Sequence, residues 1–159
     1  MHNRSYHSQA LHHFLPGLLF LASIGCGPSG QVKVYPVKGK VTFAGKPMAG
    51  GGSIALIPLA DQPGKTAGGM VKEDGTYELE TYKPGDGSMV GDFRVVINQV
   101  TVKEPTPTPD GSAAPPAAGF TVAEADRIPA VYGDLQSSPL TAKIEAKPLN
   151  ELDFDLKRQ

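Results

Sequence analysis

With fifteen basic and sixteen acidic side chains in 159 residues, the chain has a formal charge of −1. Near neutrality excludes the one-sided basic excess that a nucleic-acid binder needs. Nineteen glycines, fifteen prolines and no tryptophan, with recurrent Val and Thr and no Ala-Leu-Glu-Lys runs at helical spacing, exclude a helical protein and point to an all-β class.

The first element is a leader. A polar start carrying Arg4 precedes the apolar run Phe14–Gly25, which closes on Cys26, the single cysteine. This is the layout of a secretory signal peptide (1–25), with Ser23 and Gly25 as the small residues beside the cut. The site has Ser23 where a bacterial lipobox prefers Leu, and Ile24 where it prefers a small residue. Acylation of the Cys26 thiol is expected to hold the mature chain on a membrane, since each buried CH₂ contributes about 0.8 kcal/mol and two or three chains anchor stably. A spanning helix needs roughly 20 apolar residues, and this run is shorter and broken by Pro16-Gly17. A plain secretory cut near Cys26 is the alternative, and it leaves an unpaired thiol to be explained.

Cleavage leaves about 134 residues, enough for one domain with a real core. It removes Arg4 and all four histidines, His2, His7, His12 and His13. Residues 26–31, including Gly27-Pro-Ser-Gly30, read as a short flexible tether.

Seven strands are expected across 32–157. Val34 to Phe43 alternates, with Val37, Gly39, Val41 and Phe43 on one face and Lys38, Lys40 and Thr42 on the other, the period of a half-buried strand. Gly45-Lys-Pro47 turns the chain. Gly52 to Leu59 follows, with Ile54, Leu56 and, in phase, Pro58 on one face; the proline implies an edge or a strand end. Gly68 to Lys72 leads to Asp74-Gly75, a tight-turn signal in which both central residues favour positive φ. Thr76 to Thr81 directs Tyr77 and Leu79 inward. After the turn-rich Lys83-Pro-Gly-Asp-Gly-Ser88, Gly91 to Val100 places Phe93, Val95 and Ile97 in the core. These elements are expected to form one meandering sheet system.

At about 103–120 the composition turns to Pro, Ala and Thr, which buries too little apolar surface to offset its ordering entropy and reads as an extended insertion. A proline-rich ligand for a partner is the alternative. Ile128-Pro-Ala-Val-Tyr-Gly133 is a compact turn anchored by Ile128 and Tyr132. Leu140 to Ala146 and Leu149 to Leu156 complete the domain, the latter with Leu152, Phe154 and Leu156 inward against Asp153, Asp155 and Lys157. Short, evenly spaced strands with one buried face each predict two sheets packed face to face.

The segments Val37-Lys-Gly-Lys-Val-Thr-Phe-Ala-Gly-Lys-Pro-Met48, Asp74-Gly-Thr-Tyr-Glu-Leu-Glu-Thr81, and Lys83-Pro-Gly-Asp-Gly87 with Gly91-Asp-Phe-Arg-Val-Val-Ile97 resemble the transthyretin-like, carboxypeptidase-regulatory-type β-sandwich. The closing pieces Ile128-Pro-Ala-Val-Tyr-Gly-Asp134, Ser138-Pro-Leu-Thr-Ala142 and Phe154-Asp-Leu-Lys157 are similar to small lipoproteins that occur in many copies in Planctomycetes. The resemblance spans roughly 32–157 and implies a prealbumin/Ig-like sandwich of about seven strands. Its motifs are turn and strand motifs, which identify a fold and not an activity.

Chemistry is sparse after the leader. Without imidazole or free thiol there is no Ser-His-Asp or Cys-His constellation and no ordinary zinc site, so neither catalytic residues nor a cofactor are expected. Asp74, Asp86 and Asp92 lie in or beside glycine-rich turns where oxygen ligands could gather around Ca²⁺, but Asp in such turns ordinarily satisfies nearby backbone. Asp153 and Asp155 project from one strand as a solvated face. An internal amide between Lys38 or Lys40 and Asn150 or Asp153, as in collagen-adhesin B-type domains, is disfavoured because both lysines alternate out of phase with the apolar face. Tyr35, Tyr82 and Tyr132 are the only candidates for a sugar-stacking platform. The resulting expectation is a non-catalytic, lipid-anchored extracytoplasmic module of the periplasm or cell envelope. It is held to the membrane through Cys26 and serves structure or binds an envelope protein or glycan; a carbohydrate-binding or enzyme-accessory domain is the alternative.

Overall fold

The computed structural model describes residues 30–59, 62–103 and 119–158; the segment expected to be a leader (1–25), Cys26 and most of the Pro/Ala-rich insertion lie outside them. The fold belongs to the unit Val32–Gln159 and is all-β. In chain order its strands are β1 (Val34–Tyr35), β2 (Val37–Phe43), β3 (Lys46–Pro47), β4 (Gly52–Pro58), β5 (Ala67–Val71), β6 (Thr76–Glu78), β7 (Ser88–Met89), β8 (Gly91–Gln99), β9 (Val102–Lys103), β10 (Phe120–Thr121), β11 (Thr141–Ile144), β12 (Asn150–Glu151) and β13 (Phe154–Leu156). Two 3₁₀ turns, Glu124–Asp126 and Ala130–Gly133, stand between β10 and β11.

Alternation builds the core. One antiparallel sheet runs β11-β8-β4-β5 and turns Ile54, Leu56, Phe93, Val95, Ile97 and Ile144 inward, each at most 1 % exposed. The second is centred on β2, flanked by β6 on one side and by β12 and β13 on the other. It contributes Val37, Val41, Phe43, Tyr77, Phe154 and Leu156 to the same apolar cluster. Slipping any of these strands by one residue would move its apolar set to water.

The expectation of a single meander fails here. β2 pairs in parallel with β12 and β13 from the far end of the chain, while β4 takes β8 and β5 as neighbours. Alternation specifies a face and says nothing about which strand lies alongside. Pro58 sits at the end of β4, opposite Phe93, where its missing N–H removes no interior ladder bond.

Two turns differ from what the sequence leads one to expect. Asp74-Gly75 is not a two-residue turn: Lys72 N–H donates to Thr76 O and Gly75 N–H to Lys72 O. Only Gly75 has positive φ, at 82°, so three residues form the loop, a turn followed by a left-handed glycine. The two-residue loop with both φ positive is instead Ala44-Gly45, at 50° and 77°, between the Phe43 and Lys46 partners. Chain reversal therefore begins before Gly45-Lys-Pro47, and Lys46–Pro47 already pairs back on β2.

The last strand is also interrupted. β12 and β13 are separated at Leu152-Asp153 because the Leu152 carbonyl is pushed toward Gly39, where a Cβ would collide with it. That oxygen accepts the Tyr77 hydroxyl at 2.6 Å, and the Asp153 carboxylate accepts Lys40 N–H at 2.8 Å. Leu152 N–H donates to Lys38 O at 2.9 Å. A side chain thus supplies the acceptor that the broken ladder withdraws.

Candidate functional site

The outward face of this interruption forms a groove of about 430 Å³ lined by Lys38, Lys40, Lys72, Glu78, Glu151 and Asp153 together with Gly39, Thr76 and Tyr77. β2 supplies two lysines from its solvent side, as its alternation requires. The β5–β6 hairpin brings Lys72, Thr76 and Glu78 alongside, and the β12–β13 break supplies Glu151 and Asp153. Lys38 Nζ lies 4.0 Å from Glu151, with both side chains about half or more exposed, so this pair contributes little to stability. Asp153 is engaged by backbone. Burial, then the Asp153 charge, pushes the Tyr77 phenol well above the ordinary tyrosine range; it remains a protonated donor to Leu152 O. The groove offers ammonium and carboxylate groups for complementary charge.

The other acidic candidates act on their own turns. Asp74 accepts the Thr76 hydroxyl and N–H at 2.6 and 2.9 Å, bonds that hold its carboxyl below the usual range, with Lys72 and Lys40 adding to the effect. Asp86 accepts Thr81 N–H at 2.7 Å on one oxygen and Tyr82 and Lys83 N–H at 3.1 Å on the other. These two aspartates flank opposite ends of β6, and Asp92 lies on β8 beside Leu59, whose N–H it accepts through its backbone. Asp74, Asp86 and Asp92 are not brought together. Asp155 accepts Thr42 Oγ1 at 2.9 Å and pairs with Lys157. The Lys157 bond, then that of Thr42, holds its carboxyl low.

Asn150 has a different use from amide formation. It is buried, accepts Glu145 N–H at 3.0 Å and donates to Glu145 O at 3.1 Å, closing the turn between β11 and β12. Lys38 and Lys40 both point to solvent.

The tyrosine trio is not a platform. Tyr132 is 5 % exposed, and its hydroxyl donates to Lys157 O and accepts Lys157 N–H, at 3.1 and 3.0 Å; a ring that fills the core cannot stack on a sugar. Tyr35 and Tyr82 remain half-buried at the surface, each under a lysine. Lys33 Nζ is 5.1 Å from the Tyr35 ring centre and Lys65 Nζ 5.0 Å from that of Tyr82.

Three polar anchors gain a role only from the structure, although Ser138 and Arg94 lie within segments that carry the resemblance. Ser138, fully buried, donates to Val95 O at 2.6 Å. Gln99 donates to Ala49 O and Asp126 O and accepts Ile128 N–H. Arg94 donates to Ser138 O at 2.6 Å. No family model, curated protein or solved structure matches this chain.

Proposed function

We propose that the chain is a lipid-anchored, non-catalytic extracytoplasmic lipoprotein whose single domain serves as a structural or protein-binding module. The observation that carries this reading is the placement of the one cysteine, Cys26, directly behind an apolar run ending in Ser23-Ile24-Gly25. Acylation there would tether everything after it to a bilayer.

The finer fold assignment, a transthyretin-like sandwich of about seven main strands, belongs to the same proposal. Two sheets contributing to one apolar cluster support it, as do the turn motifs at Ala44-Gly45 and Glu73–Gly75. The mixed-charge groove over β2 and β6 suits recognition of a charged protein segment more than a neutral sugar. With Tyr132 spent on the core, the carbohydrate reading loses one of its three aromatic candidates.

Mass spectrometry of the native product tests the anchor: a mature chain beginning at acylated Cys26 is expected. An intact leader or an unmodified thiol on cytosolic material would refute it. Capture of partners from native membranes, compared between the wild type and Cys26→Ala, tests the binding role. Turnover of a substrate by the purified domain would overturn the non-catalytic assignment.

A further inference from the structure

We infer that the end of the domain where the chain enters is built to rest on an anionic lipid bilayer. Val32 is the first residue of the folded unit, and its N–H donates to the Tyr82 hydroxyl at 3.0 Å. The β1–β7 register, Val34 opposite Met89 and Tyr35 opposite Ser88, continued by one residue, sets Lys33 against Val90. Leu59 joins the same end through its bond to Asp92 O, and Gln62 through its bond to Asp92 N–H.

Three of the seven exposed large apolar side chains among the described residues are at this end: Val32 at 46 %, Val90 at 45 % and Leu59 at 36 % exposure. Beside them stand two tyrosine–lysine pairs, Tyr35 with Lys33 and Tyr82 with Lys65. Neither lysine pairs with a carboxylate among the described residues. Of the acids near Tyr82 in the chain, Glu80 is exposed and Asp86 is occupied by three backbone N–H groups, and Asp92 flanks the patch from β8. Amphipathic rings with apolar neighbours suit the headgroup level of a membrane, and lysines that lay their stems on them keep their charges toward anionic headgroups.

Connectivity selects the occupant. On the anchored reading above, residues 27–31 span at most about 18 Å when fully extended, so the end bearing Val32 is the one held against the bilayer. The surface chemistry itself does not depend on acylation.

The test uses residues 30–159, which contain every described strand and the whole apolar cluster and lack Cys26. Co-sedimentation is measured with vesicles of phosphatidylglycerol and phosphatidylcholine in equal parts, and of phosphatidylcholine alone. Binding to the anionic vesicles is expected to exceed that to the neutral ones at least tenfold at low salt and to fall with added salt. Lys33→Glu/Lys65→Glu should weaken it by at least tenfold, since each lysine near a charged surface contributes roughly fivefold. Val32→Ser/Val90→Ser should weaken it severalfold, and Lys40→Glu/Lys72→Glu in the groove should leave it unchanged. Unchanged urea midpoints establish that the variants are folded. No binding, equal binding to both vesicles, or a groove variant as damaging as the Lys33/Lys65 pair would overturn the inference. These outcomes leave the anchor untouched, whereas an unacylated Cys26 in the native product refutes the anchor and the connectivity argument with it, and the vesicle measurements then decide the surface by themselves.

Discussion

Gly39→Ala tests the account of the broken last strand. A Cβ at Gly39 would overlap the Leu152 carbonyl and come within 3.0 Å of the Tyr77 hydroxyl, so the β12–β13 segment must withdraw. Withdrawal disturbs three hydrogen bonds: Tyr77 to Leu152 O, Lys40 N–H to Asp153, and Leu152 N–H to Lys38 O. At about 1 kcal/mol net for each bond, and more for a buried hydroxyl left unpaired, the expected loss is about 3–5 kcal/mol. Against a total stability of roughly 5–15 kcal/mol this is severe. Gly68→Ala is the control, because its Cβ would find only Ile54 O, at 3.7 Å. Gly68 lacks positive φ, so the added methyl should cost nothing or gain about 0.5 kcal/mol by restricting the unfolded chain. Urea denaturation of residues 30–159 reads both. A Gly39→Ala midpoint matching wild type or the Gly68→Ala control would refute the packing argument.

Three further outcomes follow from the same geometry. Ala44→Asn should stabilise the domain by about 0.5–1 kcal/mol, since a non-glycine at φ 50° in a two-residue turn is relieved by a residue that tolerates the left-handed region; equilibrium unfolding checks it. Asp86→Ala strips the acceptor from Thr81, Tyr82 and Lys83 N–H, and hydrogen exchange at those three amides should accelerate at least tenfold while the β4 and β8 amides keep their protection. Asp74, Asp134 and Asp155 have depressed carboxyl pKa values caused chiefly by bonds from Thr76, Ser137 and Lys157 respectively. A depressed folded-state pKa contributes stability above the unfolded value, near 3.9, that is lost as pH falls through the folded value. With every histidine confined to residues 2–13, the stability of residues 30–159 should be flat from pH 5 to 8 and fall below about pH 4. A transition centred near pH 6.5 would contradict this.

Legibility followed the physics of each feature. The inward placement of Val37, Val41, Phe43, Tyr77, Phe93, Val95, Ile97 and Leu156 was readable because a strand's two-residue period assigns each side chain to a face without reference to its neighbours. The outward course of Lys38 and Lys40 was readable for the same reason. Their meeting with Lys72, Glu78 and Glu151 in one groove was not, since β2, the β5–β6 hairpin and the end of the chain are three separate stretches. Ser138 and Gln99 were equally opaque, because a polar side chain that ties a distant backbone leaves no periodic trace, and Asn150 closes a local turn to Glu145 that carries no turn motif.

Composition and alternation by themselves determined an all-β chain, the inward face of the main strands' alternating apolar residues, and the cysteine on which the anchoring proposal rests. Only tertiary structure decided that β2 runs parallel to the final strands, that the missing side chain at Gly39 admits the Leu152 carbonyl, and that Tyr132 fills the core instead of facing a ligand. Side-chain period is a local property fixed by backbone geometry, whereas strand partnership and close approach depend on which distant surfaces fit against each other once the core has closed.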